Sequence, residues 1–311
     1  MTTDRNILVV AHTGREATLR TALEVVARLR DGGMQPVMVP GDRDDLIAAE
    51  PSIAELPVFG ESVGIDDLEL TMVLGGDGTI LRAAELVRGS AGPLMGVNLG
   101  HVGFLAEAER EDLAETVRRT IARDYVVEER MTIEVVVSAQ GTELLRTWAL
   151  NEATVEKSQP GKMIEVVIEV GGRPLSSFGC DGVVMATPTG STAYAFSAGG
   201  PIVWPNIDAL LLVPLSAHAL FARPLVVAPG SVLAVELLDR TPAPGILWCD
   251  GRRSHPLPPG ARVEVTRSTV PVRLARLARG QFTDRLVRKF DLPVAGWRGR
   301  PRLAGEEEQA G

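Results

Sequence analysis

The sequence is poor in cysteine, lysine and aromatic residues, and it contains no long apolar run. Of its 311 residues only two are cysteines, Cys180 and Cys249. Two thiols form at most one disulfide, so a disulfide-stapled scaffold is excluded, and we expect two reduced structural thiols. Neither cysteine nor histidine occurs at metal-ligand spacing, which argues against a zinc site built on them.

Two further absences narrow the class of protein. The longest apolar stretch, residues 209–222, contains proline, serine and histidine and is too short and interrupted to span a bilayer. No signal-peptide pattern is visible, because strand-like residues begin almost at once. Acidic residues outnumber basic ones by 40 to 32, giving a net charge of −8, which argues against a general nucleic-acid binder. We therefore expect a cytoplasmic protein that binds neither membranes nor nucleic acid.

The first part of the chain alternates short apolar strands with amphipathic helices. Strands are predicted at 7–11, at 35–40, before residue 75 and at 94–98, and helices at 15–30, 42–50, 80–88 and 111–123. A chain of this length favours two domains. The alternation predicts a doubly wound parallel α/β domain over residues 1–124, whose ligands would lie beyond the carboxyl ends of the strands.

From residue 125 onwards, short strands follow one another with turn signals between them. This pattern predicts a β-sandwich over residues 125–275. Segments 193–198 and 208–212 are expected to be brief helical or irregular insertions, and two Cys-Asp-Gly tripeptides, at 180–182 and 249–251, to close hairpins. Helical spacing returns at 281–290. Residues 298–311 have no apolar periodicity and are expected to form a disordered tail.

The most informative stretch is an apolar strand that ends abruptly at a glycine-rich loop. The loop reads Gly75-Gly76-Asp77-Gly78-Thr79. Glycines let backbone and ligand approach closely, and amides before a helix favour anions, so the loop is built like a phosphate cradle. Asp77 would repel a phosphate, so it either takes part in chemistry or shapes the turn; the simpler alternative is a turn that closes a βα unit. A second glycine-rich run, 100–104, is expected at the same sheet edge.

Polar groups in the second half of the chain suggest a nucleoside site. Asn151-Glu152 follows a strand and can hold a pair of vicinal hydroxyls, although such a pair at a strand end is more often simply solvated. The hydroxyl-rich run 187–200 contains Tyr194 and could line a pocket for a flat ring and a ribose; the alternative is a mobile surface loop. Asp181 could accept a hydrogen bond from an exocyclic amine or serve only as a turn residue.

The order of these motifs resembles that of bacterial NAD kinases. The glycine-rich loop comes first, followed by 98–105, then Asn151-Glu152, then Asp181-Gly182 and the run 187–194, so that the resemblance covers residues 5–290. The first motif alone is shared with diacylglycerol and sphingosine kinases and, loosely, with phosphofructokinases. The later motifs make the resemblance specific.

The resemblance implies a kinase that moves the terminal phosphoryl group of ATP, or of inorganic polyphosphate in some members, to the 2′-hydroxyl of the adenosine ribose of NAD, making NADP. It also implies that Mg²⁺ or Mn²⁺ arrives with ATP. The α/β domain and the β-sandwich would close over the dinucleotide, and segment 276–297 would pack back onto the first domain. Members of the family form homodimers or homotetramers whose sites are completed across subunits.

Roles for individual residues follow from the resemblance and from the side chains themselves. Asp77 is implied as the base, and Asn151 and Glu152 as the pair that holds the ribose hydroxyls. The two ends of the dinucleotide are assigned to Asp181, Thr192, Ala193, Tyr194, Ala195, Phe196 and Ser197. Further contacts to phosphates or dinucleotide are expected from Gly75, Gly76, Gly78, Thr79, Arg82, Phe104 and Lys162. For Arg82 and Lys162 the alternative is a solvated surface charge.

Two other functions compete with this one. A lipid kinase could be built on the same glycine-rich loop, but the hydroxyl-rich run argues for a nucleoside. An NAD(P)-binding regulator could have kept the pocket and lost turnover, but the presence of Asp77 disfavours it.

Overall fold

The computed structural model describes residues 5–100, 103–109, 112–241, 244–277 and 282–294. Its helices are α1 (Glu16–Asp31), α2 (Pro40–Ile47), α3 (Asp77–Leu86), α4 (Leu113–Ile121), α5 (Tyr194–Ser197) and α6 (Phe282–Phe290). Within these ranges, no helix is long and apolar enough to cross a membrane. The tail predicted at 298–311 lies outside the described residues, as does His101 of the second glycine-rich run.

The strands form three sheets. Strands β1 to β6 are Asn6–Ala11, Gln35–Met38, Leu68–Leu74, Leu94–Asn98, Ala108–Glu109 and Val126–Arg130. Strands β7 to β12 are Ile133–Ala139, Thr142–Ala149, Glu152–Lys157, Ile164–Val170, Arg173–Cys180 and Gly182–Ala186. Strands β13 to β19 are Leu210–Leu215, Leu225–Val227, Leu233–Leu237, Gly245–Cys249, Arg253–Leu257, Ala261–Arg267 and Val272–Arg276.

The first sheet has the order β2-β1-β3-β4-β19-β6, with β5 beside β4. All of its pairs are parallel except β19 with β6. Successive residues of a strand point to opposite faces of the sheet, and β1 carries apolar residues on both faces. Ile7 and Val9 pack with residues of α1 and α4, whereas Leu8 and Val10 pack with residues of α3. Helices therefore cover both faces, which confirms the doubly wound α/β prediction.

The other two sheets are antiparallel and pack face to face. Their orders are β11-β10-β15-β18-β7-β8 and β14-β13-β12-β9-β16-β17. Alternate residues of the strands, such as Ile133, Val135 and Val137 of β7 and Val183 and Met185 of β12, fill one core between the sheets. The predicted β-sandwich is confirmed as an architecture.

Strands β6 and β19 belong to the first sheet, although residues 126–130 and 272–275 fall in the range 125–275 that was predicted to form the sandwich. They pair with each other, and β19 continues onto β4. Cross-strand ion pairs, Arg273 with Glu129 and Arg276 with Glu128, hold them together. Periodicity in the sequence identifies a strand but not its partner, so these two strands could not be assigned to a sheet. The division of the chain into segments 1–124, 125–275 and 276–297 stays a prediction.

Two local predictions for the sandwich were wrong. Residues 210–212 begin strand β13 and are not a helical or irregular insertion, because a short apolar run does not distinguish strand from helix. The tripeptide 180–182 does not close a hairpin, since it links β11 of one sheet to β12 of the other. The second tripeptide, 249–251, does close the hairpin of β16 and β17. Both cysteines are buried and free, as expected.

Candidate active site

The glycine-rich loop joins β3 to α3 at the carboxyl edge of the first sheet. Helix α3 begins at Asp77, three residues earlier than predicted, so the loop amides and the helix N-terminus face the same space. Gly75 is required by close approach, since a Cβ there would lie 2.4 Å from Oγ1 of Thr79. The Gly75 amide also donates to the carbonyl of Val97 (3.0 Å) in β4, which fixes the loop to the neighbouring strand.

The second glycine-rich run packs directly on the carboxylate of Asp77. The backbone N–H of Phe104 donates to Oδ2 of Asp77 (2.9 Å), and that of Leu105 donates to Oδ1 (3.0 Å). A Cβ on Gly103 would lie 2.3 Å from Oδ1. Each carboxylate oxygen keeps a free lone pair, so Asp77 is held in place while it can still accept a hydrogen bond from a ligand.

A cavity of about 500 Å³ opens in front of this loop. Its described lining contains one carboxylate, Asp77, and several basic or polar groups. The lining residues are His12, Arg15, Thr18, Gly75, Gly76, Asp77, Gly78, Thr79, Arg82, Asn98, Leu99, Gly100, Gly103, Arg252 and Lys289. Loop amides and cations from four elements therefore surround one carboxylate, which is an arrangement suited to a polyanion.

Arg82 and Lys162, the two basic residues singled out in the sequence, are placed very differently. Arg82 lines the first cavity, donates to the buried carboxylate of Asp42 (2.5 Å) and to the carbonyl of Ala11 (3.2 Å), and is no solvated surface charge. Lys162 lies in the exposed turn between β9 and β10 and lines neither of the two cavities at this site. The structure does not bring Lys162 to the glycine-rich loop.

Asn151 and Glu152 are buried, with exposed fractions of 8% and 6%. The alternative of a solvated polar pair is therefore wrong. The Thr187 amide donates to the Asn151 carbonyl (2.9 Å), and a Cβ on Gly190 would lie 2.1 Å from the same carbonyl oxygen. The hydroxyl-rich run thus packs on the backbone of the Asn151-Glu152 pair, and its glycine is needed for that close approach.

A second cavity, of about 390 Å³, lies beside Glu152. Its lining residues are Glu152, Thr154, Glu156, Tyr194, Trp248 and Gly251. Burial, together with the neighbouring charge of Asp250, raises the pKa of Glu152 to about 8. The Oε2 atom of Glu152 has no hydrogen-bond partner within the described part of the chain. Indole and phenol rings next to this carboxyl suit a flat ring and its hydroxyl-bearing sugar.

The hydroxyl-rich run is ordered by its own side chains. Thr187 Oγ1 donates to the Leu150 carbonyl (2.6 Å), and Ser191 Oγ donates to the Pro188 carbonyl (2.6 Å). Ala195 is fully buried and packs in a small core, so its side chain does not face a ligand. Tyr194 and Phe196 are about 40% exposed. Of the predicted segment 192–197, Tyr194 is the residue that lines the second cavity.

Asp181 is paired within the protein. Its carboxylate accepts a hydrogen bond of 2.5 Å from Lys157, which holds the pKa of Asp181 below its usual value. It lies outside the described lining of both cavities. An amine-binding role for Asp181 would require a ligand to share this carboxylate with Lys157.

Helix α6 links the loops of the two halves of the site. Its Phe290 lies 5.9 Å from the ring of Phe104 and 4.5 Å from that of Phe196, measured between ring centroids. Arg285 of the same helix donates to the carbonyl of Phe104 (2.8 Å), and Lys289 lines the first cavity. The C-terminal helix therefore contacts the Asp77 side and the hydroxyl-rich run together.

Sequence reasoning missed most of the cations in the first cavity. Arg15 precedes α1, Arg252 follows the second Cys-Asp-Gly tripeptide and Lys289 lies in the last turn of α6. They come from distant parts of the chain, and no local pattern joins them. Arg15 and Arg252 each follow a glycine, and a basic residue after a glycine-containing turn is only a weak signal of a phosphate contact.

Comparison with known proteins agrees with this geometry. Residues 7–125 match the family model of the ATP-NAD kinase N-terminal domain, and residues 150–277 match that of the ATP-NAD kinase C-terminal domain. The NAD kinase of Leifsonia xyli is 63% identical over 96% of this chain and 98% of its own length. The NAD kinase of Thermobifida fusca is 60% identical over 96% and 93%.

Solved structures share the fold at low sequence identity. Yeast NADH kinase complexed with NADH has a TM-score of 0.83 and 21% identity, covering 94% of this chain and 89% of its own. The NAD kinase of Archaeoglobus fulgidus in complex with ATP has a TM-score of 0.69 and 24% identity, covering 93% and 100%. The matches to both family models and the high identity over nearly the whole chain lead to one conclusion: the chain belongs to the ATP-NAD kinase family, whose members phosphorylate NAD to NADP.

Proposed function

We propose that this chain phosphorylates NAD with ATP and that Asp77 serves as the base. The observation that carries the proposal is the position of one carboxylate, fixed by two backbone amides, in a cavity otherwise lined by loop amides and cations. A carboxylate repels the phosphates that such a cavity is suited to bind. Its presence is explained if it faces the hydroxyl that attacks the phosphate. The names of the relatives and the family models support NAD as that hydroxyl's carrier.

In the proposed reaction the 2′-oxygen of the adenosine ribose attacks the γ-phosphorus of ATP. The new oxygen–phosphorus bond forms as the bond to the β,γ-bridging oxygen breaks, and ADP leaves. A sugar hydroxyl is a weak acid, so Asp77 would orient it and take its proton late; general-base roles of this kind contribute roughly 10²–10⁴-fold. Positioning and charge neutralisation provide the rest, because the transition state of phosphoryl transfer is loose.

The remaining residues receive roles from their placement. The amides of Gly76 and Gly78 would hold the donor phosphates together with Arg15, Arg252 and Lys289, whereas the Thr79 amide donates to the Gly76 carbonyl (2.9 Å). Asn151 and Glu152 would hold the ribose hydroxyls, and the unpaired Oε2 atom of Glu152 is suited to such a partner. Tyr194 and Trp248 would flank the base in the second cavity.

A divalent cation fits this site as part of the nucleotide substrate. The described residues contain no cluster of three acidic, histidine or cysteine side chains that could hold a metal ion on their own. Mg²⁺ usually keeps waters and substrate phosphates as ligands, so ATP would deliver it, and Mn²⁺ could replace it. Asp77 is the described lining carboxylate next to which such a complex would lie.

Inorganic polyphosphate is a second proposed donor, since the lining amides and cations are suited to any polyanion. The experiment that tests the function is a product assay with NAD or diacylglycerol as acceptor and with ATP or polyphosphate as donor, each with Mg²⁺. Formation of NADP is expected. Phosphatidate without NADP would favour the lipid kinase, and tight NAD binding with no NADP from either donor would favour the non-catalytic regulator.

We further propose that the protein works in the cytoplasm as a homodimer or homotetramer. The two free, buried thiols are consistent with a reducing compartment. Apolar side chains remain exposed on the sandwich side, among them Leu220 and Phe221, and exposed apolar groups are typical of subunit contacts.

A further inference from the structure

The turn between β16 and β17 lies between the two cavities. Gly251 lines the second cavity, and Arg252, the next residue, lines the first. Asp250 and Gly251 have φ values of 54° and 63°, the left-handed conformations of a tight hairpin turn that favours Asp-Gly. The residues of this turn therefore touch both halves of the site.

The side chain of Asp250 is directed away from both cavities and lies beneath the Asn151-Glu152 pair. Its Oδ2 accepts from the amide of Leu150 (3.0 Å), and its Oδ1 accepts from the amide of Asn151 (2.6 Å). Its own amide donates to the Glu152 carbonyl (2.9 Å). The carboxylate is 1% exposed, so this buried side chain fixes the backbone at residues 150 and 151, and the main-chain amide of the same residue fixes residue 152.

Asp250 is connected in turn to the helix that carries Asp77. Arg253 donates to Oδ2 of Asp250 (3.0 Å). Its Nε forms an ion pair with Oε1 of Glu85 (2.6 Å), and neither of these two atoms has a hydrogen-bond partner within the described residues. Glu85 is on α3, eight residues after Asp77, and its other oxygen accepts from Arg252 (3.1 Å). The guanidinium of Arg253 also lies over the ring of Trp148 at 4.8 Å. A path of ion pairs and hydrogen bonds therefore runs from the Asp77 helix through Arg253 and Asp250 to the Asn151-Glu152 pair.

We propose that Asp250, tied through Arg253 to Glu85, is a positioning residue that sets where the Asn151-Glu152 pair lies relative to Asp77. The proposal rests on the proposed role of that pair. Displacement of a reacting hydroxyl by about 1 Å can cost 10²-fold in rate. Because α3 packs on the first sheet and β9 belongs to a sheet of the sandwich, no shared strand sets their separation, and this path connects them through side chains.

Asp250→Asn tests the first link of the path. Asparagine keeps the size of the side chain and tolerates the left-handed φ. The two backbone amides bind different oxygens of the carboxylate, so the NH₂ group of asparagine would face one of these donors. We expect kcat to fall by at least about 10-fold and the KM for NAD to rise, while the KM for ATP stays within about twofold.

Glu85→Gln tests the path at its other end, on α3, and it tests the positioning role even if Asp250→Asn does not fold. It should change kcat and the KM for NAD in the same direction but by less. The double variant should lose less than the product of the single effects, because both act through one path. Arg253→Lys is not expected to preserve kcat or the KM for NAD, since lysine cannot contact both carboxylates in the same geometry.

Glu69→Gln is the matched control. Like Glu85, Glu69 forms ion pairs with two arginines, in its case Arg5 and Arg123. Its side chain is 15% exposed, compared with 20% for Glu85. It lies at the start of β3, at the opposite end from the glycine-rich loop. We expect a lower Tm with kcat and KM unchanged.

The positioning role is overturned if Glu85→Gln, like the control, lowers only the Tm and leaves kcat and the KM for NAD unchanged. Failure of the function itself has a different signature, because the unsubstituted protein would then make no NADP. In that case NAD binding measured by calorimetry decides the question: weaker binding in Glu85→Gln but not in Glu69→Gln supports the path, and equal binding refutes it.

Discussion

Backbone N–H groups fix the carboxylates at both ends of the site. Asp77 accepts from the amides of Phe104 and Leu105, and Asp250 accepts from those of Leu150 and Asn151. Backbone donors are set by the course of the chain and require no side-chain ordering at the moment of reaction. Preorganised groups of this kind are what phosphoryl transfer requires.

The close approach of Gly103 to Asp77 predicts that one methyl group added at position 103 will lower the activity. In Gly103→Ala the new Cβ would lie 2.3 Å from Oδ1 of Asp77, so the carboxylate or the loop must move. We expect kcat for NADP formation to fall by at least about 10-fold. Gly41→Ala is the control, since its Cβ would meet no atom within 4 Å. A normal kcat in Gly103→Ala would show that the position of this loop does not matter.

The raised pKa of Glu152 predicts how stability depends on pH. Between the ordinary value of 4.5 and its folded value of about 8, the folded protein binds more protons than the unfolded chain. The free energy of unfolding should therefore decrease as pH rises through this window, by up to about 1.4 kcal/mol per pH unit. Urea unfolding of the ligand-free protein, with Glu152→Gln for comparison, measures the effect. The variant should lose less stability on alkalisation, and parallel curves for the two proteins would contradict the account.

At the scale of elements, local patterns predicted much of the fold. The strand at 94–98 and the helix near 281–290 were found with their bounds nearly correct, because alternation and helical spacing are properties of contiguous residues. Strand β19 was not predicted, and the partner of β6 was not found, since pairing is a long-range choice that period alone does not encode.

The difference between contiguous patterns and long-range contacts also explains which residues of the candidate site could be predicted from the sequence. The glycine-rich loop and the Asn151-Glu152 pair are contiguous motifs, and the sequence indicated both. Asp250 was seen only as a turn residue, because its partners lie about 100 residues earlier in the chain. Lys289 falls in the segment 281–290 that was predicted to be helical, and only the packing of α6 brings it to the first cavity.

Helix α6 supplies a prediction at this scale. Phe290 contacts Phe104 on one side and Phe196 on the other, and aromatic pairs contribute about 0.5–1.5 kcal/mol each beyond burial. Phe290→Ala should destabilise the protein by roughly 1–3 kcal/mol and raise the KM for NAD, because both loops lose a common support. Leu292→Ala, at an exposed position just beyond the helix, serves as control. An unchanged KM for NAD in Phe290→Ala would show that α6 supports stability alone.

At the scale of the whole molecule, the chain passes from the first sheet to the sandwich after β6 and returns before β19. The polar path through Glu85 and the aromatic contacts of α6 join the same two halves. The site is therefore assembled between two architectures, and its geometry depends on how they are held together.

Self-association is a prediction at this scale. Light scattering on the purified protein should give a mass two or four times the 33.2 kDa of the chain. A monomer at micromolar concentration, with full NADP formation, would exclude any requirement for residues from a second subunit.

The most direct test of the account is the turnover of Asp77→Asn with NAD, ATP and Mg²⁺, measured beside its NAD affinity. Asparagine has nearly the same size but cannot take the proton of the ribose hydroxyl, and its NH₂ group would face one of the two amides that hold Asp77. The account predicts a fall in kcat of at least about 10²-fold, with an NAD dissociation constant close to that of the unsubstituted protein. Turnover within tenfold of normal would contradict it and remove Asp77 from the role of base.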